Sequence, residues 1–240
     1  MYSLSDTQLY NELKDTHPEI YEKISSFLSS EFEDVKLGCH TIQNILTLIY
    51  GNVQLLEHTF PELKENPRWN FIRSDISVLS DHMIAISTYR YAHVITRTEV
   101  NVGEYIRALL KTFSEDEKLH TLKISCNIPD DCPNVSLDID KLQSSIKAIL
   151  ENITDIGTDA SVHIDITYTS DKLIFKIYDN LNVNNSETLT KIFRPFNTNK
   201  PDHIGLGLAT AYRIAVAHGG ELTYQPNTPC GSIFTLSIQR

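Results

Sequence analysis

The chain has 240 residues, a formal net charge of −10 and a hydrophobic content of 41%. This length fits one large domain, or a small helical unit followed by one compact domain. The hydrophobic content can supply a core and excludes a chain that is disordered throughout. No basic run offsets the negative charge, so the composition argues against nucleic acid and anionic membranes as partners.

The four cysteines, Cys39, Cys126, Cys132 and Cys230, are scattered along the chain and form no CxxC pair. This spacing predicts neither a disulfide framework nor a zinc site, and it favours a reduced cytoplasm. The polar first residues contain no signal-peptide core, and no stretch reaches the ~20 apolar residues that a membrane helix needs. We therefore expect a cytoplasmic protein without a membrane span.

A heptad pattern of apolar residues dominates the first third of the chain. Its first seam, with alternating spacings of four and three, comprises Leu28, Phe32, Val35, Cys39, Ile42, Leu46, Ile49, Val53 and Leu56. A repeat sustained in this way predicts a helix that packs along its length, over roughly residues 20 to 58. Pro61 and the PELKENP segment end this helix.

A second seam follows the polar turn with the same alternation. It comprises Trp69, Ile72, Ile76, Leu79, Met83 and Ile86. Two such helices joined by a short turn form an antiparallel hairpin, and two hairpins close a core as a four-helix bundle. The sequence therefore predicts a homodimer. The alternative is an intramolecular helical unit that rests on the rest of the chain.

Near residue 97 the pattern changes to strands and helices in alternation. The predicted strands are 121–128, 161–169, 172–179 and the C-terminal segments ELTYQP and GSIFTLSIQ, and the predicted helices are 141–157 and 206–220. Helices interleaved with strands indicate a two-layer α/β sandwich. The expected fold class is α+β, with a helical domain at 1–96 and an α/β domain at 97–240.

His40 occupies a b position of the first helix, about 160° from the seam when each residue turns the chain by 100°. Asn44, Thr47 and Gly51 share this outer face. An exposed imidazole on a rigid helix suits in-line phosphoryl transfer, because both a donor and an acceptor can reach its Nε2 atom. On geometry alone, an ordinary surface histidine is the alternative.

The residues around His40 resemble the H-box of bacterial two-component histidine kinases. In that family an acidic residue follows the histidine, and Asn and Pro come later in the motif. His40 and Asn44 match this pattern, which implies that His40 accepts the phosphoryl group and that Asn44 belongs to the catalytic site. Thr41 replaces the acid that acts as general base on the imidazole, and Ile45 replaces the proline.

The segment SLDIDKLQSSIKAILENITDI resembles the N-box of the same family's ATPase domain, whose fold is shared with gyrase, Hsp90 and MutL. The resemblance implies that Asn152 holds Mg²⁺, for which an uncharged amide oxygen is a suitable ligand beside phosphates. Ala148 replaces the earlier polar residue of the motif. Glu151 and Asp155 lie nearby on the helix and are expected to substitute in part.

The segment KLIFKIYDN resembles the strand that ends in the G1 box, which implies that Asp179 accepts the adenine amino proton. Leu181 and Val183 replace both glycines of this box. Glycine there permits a positive φ and a close approach of the backbone to the nucleotide, whereas a β-branched valine is strained in such a backbone. We therefore expect the loop to follow another path and ATP binding to be weak or lost.

Two further segments complete the resemblance. KIFRPFNTNK is similar to the F-box that anchors the lid over ATP, and this implies that Lys200 lies near the phosphates. IGLGLATAYRIAVAHGGEL is similar to the G2 box and its helix, so Gly205, Leu206 and Gly207 are expected to bind ATP. There the backbone N–H groups face a phosphate at the start of a helix, where the dipole favours an anion.

Three functions are compatible with these motifs. In the first, ATP and Mg²⁺ bind, and the γ-phosphoryl group passes to His40 and then to an aspartate of a response-regulator receiver domain. In the second, the chain is an ATP-independent phosphotransferase between receiver domains, which Thr41, Ala148 and the missing G1 glycines favour. In the third, it is a non-catalytic pseudokinase scaffold. We favour the kinase, because Asn152 and Asp179 are retained.

Overall fold

The structure is a computed structural model that describes residues 17–157, 160–181, 191–200, 203–227 and 230–240, and the side chains of residues 24–37 fall outside this description. The chain divides into two compact units, Met1–Ser87 and Thr88–Arg240. The predicted domain boundary near residue 97 lies inside the second unit, which begins at Thr88. The residues just before 97 therefore belong to the same compact unit as the α/β fold.

Two long helices dominate the first unit. Helix α1 spans Pro18–Thr59, a short 3-10 turn spans Pro61–Glu65, and helix α2 spans Pro67–Arg90. The side chain of Asn66 caps α2 by accepting a hydrogen bond from the backbone N–H of Arg68 at 2.9 Å. The predicted helical hairpin is therefore confirmed. No helix within the described ranges is both long enough and apolar enough to span a membrane.

The two helices run antiparallel, because the end of α1 contacts the start of α2. Trp69 Nε1 donates to Glu57 Oε1 at 3.0 Å, and Arg73 forms a 3.7 Å ion pair with the same carboxylate. Further along, Gln43 Nε2 donates to Met83 O at 3.4 Å. These contacts fix the register of the hairpin at both ends.

Part of each predicted seam stays exposed within one chain. Leu46, Val53 and Met83 are each 6% exposed. The seam residues between 39% and 50% exposed are Ile42, Ile49, Leu56, Ile72 and Leu79. The seam positions Leu28, Phe32 and Val35 have side chains outside the described part of the chain. A single hairpin therefore covers alternate heptad positions and leaves the others open.

The second unit is built on a five-stranded mixed sheet and a two-stranded ribbon. The strands are β1 (Thr98–Asn101), β2 (Lys123–Asn127), β3 (Asn134–Leu137), β4 (Ser161–Tyr168), β5 (Lys172–Asp179), β6 (Glu221–Pro226) and β7 (Ser232–Gln239). The sheet has the order β2-β4-β5-β7-β6, in which only β2 and β4 pair in parallel. β1 and β3 form the antiparallel ribbon.

Among its described residues, this unit also has three α-helices: α3 (Val102–Ser114), α4 (Ile139–Thr154) and α5 (Gly207–Ala217). Burial alternates along β5, where Leu173, Phe175 and Ile177 are fully buried and the residues between them are not. This period of two places one face of the sheet against the helices. The two-layer α/β sandwich is thus confirmed, although α3, β1 and β3 were not among the predicted elements.

Candidate functional site

A buried histidine at the end of α5 fixes the start of α4. His218 Nδ1 donates to Ile214 O at 2.8 Å, and its Nε2 accepts from the backbone N–H of Asp138 at 3.1 Å. Burial lowers the pKa of His218, so the ring is neutral in this setting. Asp138 in turn caps α4 by accepting from the N–H of Lys141, and it also accepts from the N–H of Thr96. These bonds hold the two candidate nucleotide-binding helices in register.

Ala148, Asn152 and Asp155 lie along one face of α4. A Cβ atom added to Gly207, the first residue of α5, would lie 3.7 Å from the Cβ of Ala148. Asn152 and Asp155 follow four and seven residues later, and such spacings share a helix face. The half-buried Asn152 therefore offers a neutral oxygen ligand, suited to Mg²⁺, close to the start of α5.

Helix α5 begins with an uncapped first turn. Its N-cap residue Leu206 makes no side-chain cap hydrogen bond within the described residues, and no acidic residue lies in the first turn. The Leu206 carbonyl instead accepts from the N–H and the hydroxyl of Thr210, at 2.8 Å and 2.7 Å. A helix start with N–H groups available attracts an anion, so this end of α5 fits the phosphate groups expected there.

Gly205 and Gly207 differ in whether the backbone conformation and the surrounding atoms require glycine. Gly205 has φ +71°, and a Cβ atom there would lie 2.8 Å from the backbone nitrogen of Asn197. Its carbonyl accepts from the N–H of Phe196, which itself has φ +62°. Glycine at 205 is thus required for this close contact, whereas a methyl group at 207 would make an ordinary contact with the protein.

The segment 191–200, here called the lid segment, is anchored to both helices. Phe193 stacks on Tyr212 of α5 with ring centroids 5.7 Å apart. At its other end, Lys200 Nζ forms an ion pair with Asp155 Oδ2. The structure thus brings together two of the predicted site residues, and it places the ammonium group of Lys200 at the end of α4.

Asp179 lies at the end of β5, where its carboxylate is held on both oxygens. Oδ1 accepts from the N–H of Leu181 at 2.8 Å, and Oδ2 accepts from the Ser232 hydroxyl. The side chain is 4% exposed. Gly231 precedes Ser232 with φ +96°, and a Cβ atom there would lie 1.9 Å from the Asp179 carbonyl oxygen. Ser232 and Gly231 were not among the predicted site residues, although the sequence has a Gly-Ser pair at the start of the last predicted strand.

Leu181, which replaces the first G1 glycine, does not have a glycine-type backbone. Among the non-glycine residues that the structure describes, only Phe196 has a positive φ. The Leu181 side chain points at Gly157, where an added Cβ atom would lie 3.1 Å from Leu181 Cδ2. Residues 182–190, Val183 included, lie outside the described residues.

His40 is exposed on α1, as its b position predicts. Asn44 Nδ2 lies 3.2 Å from His40 Nδ1, one helical turn away. Thr47 and Gly51 are exposed as well, so the outer face of α1 is open around the histidine. These residues belong to the first unit, and the candidate nucleotide-binding residues belong to the second.

Residues 137–240 match the family model of the histidine kinase-, DNA gyrase B-, and HSP90-like ATPases, so the second unit contains an ATPase domain of this class. The chain is 25% identical to sporulation kinase C of Bacillus subtilis (strain 168) in an alignment that covers 98% of this chain. It is also 25% identical to the sensor histidine kinase ZraS of Salmonella typhimurium in an alignment that covers 82% of this chain. With its helical hairpin in front of that domain, the chain is similar to the transmitter core of these histidine kinases. It spans 56% of sporulation kinase C and 43% of ZraS.

Solved structures share the fold of both units. Full-length ShkA in complex with AMPPNP matches with a TM-score of 0.73 at 17% identity, over 86% of this chain and 45% of that chain. Histidine kinase ThkA in complex with response regulator protein TrrA matches with a TM-score of 0.59 at 21% identity, over 97% of this chain and 66% of that chain. At these identities the likeness concerns the fold.

Proposed function

We propose that the chain is a protein-histidine kinase of a two-component system. It transfers the γ-phosphoryl group of ATP to His40, from which the group passes to an aspartate of a response-regulator receiver domain. The observation that carries this proposal is the arrangement around α4 and α5, where Asn152, Lys200 and the uncapped start of α5 lie in one ATPase domain. The exposed His40 on the hairpin supplies the acceptor.

Each group of this ATPase domain has a distinct task in the proposal. The carboxylate of Asp179 accepts the adenine amino proton, and Ser232 keeps that carboxylate oriented. Lys200 and the N–H groups at the start of α5 bind the phosphates. Asn152 would hold Mg²⁺, which neutralises negative charge on the phosphates when it is bound.

The transfer itself is an in-line displacement. The Nε2 lone pair of His40 forms a bond to the γ-phosphorus while the bond from that phosphorus to the bridging oxygen breaks, and ADP leaves with the electron pair. The imidazole must be neutral, because the protonated ring has no lone pair to offer. The exposed outer face of α1 leaves Nε2 accessible first to the donor and then to the receiver domain.

We also propose that the core works as a homodimer. The exposed seam residues Ile42, Ile49, Leu56, Ile72 and Leu79 support this, because the single hairpin leaves these positions of its heptad pattern uncovered. A second hairpin would close these residues into a four-helix bundle. A place in a phosphorelay and a reduced, cytoplasmic location stay predictions of the sequence.

The kinase proposal is tested with labelled ATP and Mg²⁺. Wild type is expected to acquire acid-labile, base-stable label, and His40→Gln is expected to acquire none. His58→Gln is the matched control, because His58 is exposed on the same helix. Label that persists in His40→Gln would overturn the assignment of the acceptor. If wild type takes label from a phosphorylated receiver domain and none from ATP, the ATP-independent phosphotransferase replaces the kinase.

A further inference from the structure

Three polar side chains of the second unit form a hydrogen-bonded chain across strands β2 and β4. The Oγ atom of Ser125 lies 2.8 Å from His163 Nδ1, and Nε2 of the same ring lies 3.0 Å from Asp165 Oδ1. Ser125 and His163 are Cα partners in the parallel β2–β4 pair, and Asp165 follows two residues later on β4. Because strand side chains alternate between the two faces, all three lie on the same face of the sheet.

This face of the sheet is open to solvent. Val162 and Ile164, on either side of His163, are 1% and 3% exposed and belong to the core. The side chains of His163 and Asp165 are 48% and 32% exposed, and Ser125 is exposed as well. The helices of the candidate nucleotide-binding site pack against the other face. A small molecule can therefore reach the three side chains without entering the kinase site.

The carboxylate of Asp165 determines the direction of these hydrogen bonds. A carboxylate only accepts, so the Nε2 atom of His163 carries a proton and donates to Asp165. In the neutral ring Nδ1 then has a lone pair, to which the Ser125 hydroxyl donates. The same hydroxyl lies 3.3 Å from the Val162 carbonyl oxygen and can donate there when the ring is protonated. The neutral ring is thus placed to take the Ser125 proton.

The three groups have the geometry of an activated serine. A serine hydroxyl becomes a strong nucleophile when a base within about 2.6–3.2 Å takes its proton and a third group orients that base. Both hydrogen-bond distances fall within this range. Such a set is recognised by geometry and roles, whatever the fold and the order of the residues in the chain.

We propose that Ser125 is a nucleophile that accepts acyl groups from small activated carboxylic esters. His163 is its general base, and Asp165 is the positioning residue that orients the ring and stabilises its cationic form. Lys123 and Asn127 flank Ser125 on the same exposed face of β2, where their N–H groups stabilise the oxyanion of the intermediate. This activity is independent of the proposed kinase function, because it needs no nucleotide and uses other residues.

The reaction has two steps. Ser125 Oγ bonds to the carbonyl carbon as its proton passes to His163 Nδ1. The bond from that carbon to the alcohol oxygen then breaks, and the alcohol leaves with the electron pair and the proton from His163. In the second step a water molecule adds to the acyl carbon while His163 takes a proton from it. Ser125 leaves with the electron pair and recovers this proton, and the carboxylic acid is released.

The test uses a fluorophosphonate probe on the full chain without nucleotide. The Ser125 oxygen bonds to phosphorus, the P–F bond breaks, fluoride leaves, and the stable adduct is located by peptide mass spectrometry. Wild type is expected to carry the adduct on Ser125, and Ser125→Ala is expected to carry none. His163→Gln is expected to react at least about 10²-fold more slowly than wild type, the lower end of what a general base contributes.

Ser161→Ala is the matched control, because Ser161 is exposed on the same face of β4, two residues before His163. It should react at the wild-type rate. Asp165→Asn should react more slowly, and Asp165→Glu should recover part of the rate, because it restores the carboxylate. In a second measurement, the new thiol of Ser125→Cys should react with iodoacetamide faster than that of Ser161→Cys, since His163 takes its proton.

The acyl step is followed with p-nitrophenyl acetate. Wild type is expected to release p-nitrophenol with transient acetylation of Ser125, and this component should be absent in Ser125→Ala. The proposal is overturned if the fluorophosphonate adduct lies on another residue, or if wild type and His163→Gln react at the same rate. Equal alkylation of the new thiols in Ser125→Cys and Ser161→Cys also overturns it. Labelling of His40 by ATP should be the same in Ser125→Ala and wild type, so failure of the kinase and failure of this site are distinguished.

Discussion

The ammonium group of Lys200 pairs with the carboxylate of Asp155, and this ion pair joins the lid segment to the end of α4. The two side chains are 38% and 28% exposed. An ion pair in such a setting contributes at most ~1 kcal/mol, because water screens it. A polyphosphate can therefore take Lys200 from Asp155 at small cost, and the freed carboxylate then lies one turn from Asn152.

Asp155→Asn is expected to raise the affinity for metal-free ATP by roughly three- to tenfold, since it frees Lys200 and removes a negative charge near the phosphates. With Mg²⁺ the gain should shrink, because the cation offsets that charge. Calorimetry in EDTA and in Mg²⁺ measures both. Glu151→Gln is the control. Glu151 lies one helical turn before Asp155 and pairs with Lys118 and Lys147. Equal affinities of wild type and Asp155→Asn in EDTA would contradict this prediction.

Ser232→Ala is expected to cost about 1–3 kcal/mol of unfolding free energy, because a buried oxygen of Asp179 loses its hydrogen-bond donor. The preference for ATP over GTP should fall in the same variant, because the carboxylate that is proposed to read adenine is no longer fixed. Urea unfolding and competition binding test the two effects. Ser237→Ala, at another buried serine of β7, should keep the wild-type preference for ATP. A Ser232→Ala protein with unchanged stability and selectivity would refute the role of this bond.

Ile49→Asp and Leu79→Asp are each expected to dissociate the proposed dimer. Both residues are partly exposed in the single chain, at 39% and 46%, and burial of this remaining surface in a second hairpin contributes about 1 kcal/mol each. Light scattering at micromolar concentration reports the mass. Thr47→Asp, on the outer face of α1, should stay dimeric. A wild-type protein that is monomeric under these conditions would reject the dimer.

The unfolding free energy is expected to fall as the pH drops below the usual histidine pKa of about 6.5, in part because of His218. Burial lowers the pKa of His218 in the folded state, so between that pKa and about 6.5 the unfolded chain binds more protons than the folded chain. Stability from this group is complete above that window and is lost as the pH falls through it. Urea unfolding of wild type and His218→Gln at about pH 5.5 and about pH 7.5 measures the effect.

In His218→Gln the pH dependence should be flatter than in wild type, because the group that titrates is gone. His120→Gln serves as the control, since His120 is exposed and should keep the wild-type slope. If the unfolding free energies of His218→Gln and wild type depend on pH in the same way, a group other than His218 causes the loss of stability at low pH.

Local periodicity was enough to predict much of this protein. The heptad spacing around Leu46 and Val53 specifies a helix with one apolar stripe, and the same 100° step puts His40 on the opposite side. Proline after the first helix and Gly219-Gly220 after the last one mark where these helices end. The elements that were not predicted, α3 and the short strands β1 and β3, either carry a glycine near their start or are four residues long, so their local signal is weak.

Only the tertiary structure determined which residues from distant segments of the chain contact each other. Ser232 reaches Asp179 across 53 residues of sequence, and His218 reaches Asp138 across 80. Neither pairing has a local pattern, because a hydrogen bond between distant segments depends on strand order and helix packing. The sequence likewise placed Lys200 and Asp155 in two different motifs. Only the packing of the lid segment beside α4 brought the opposite charges together, because an ion pair between distant segments depends on how those segments pack.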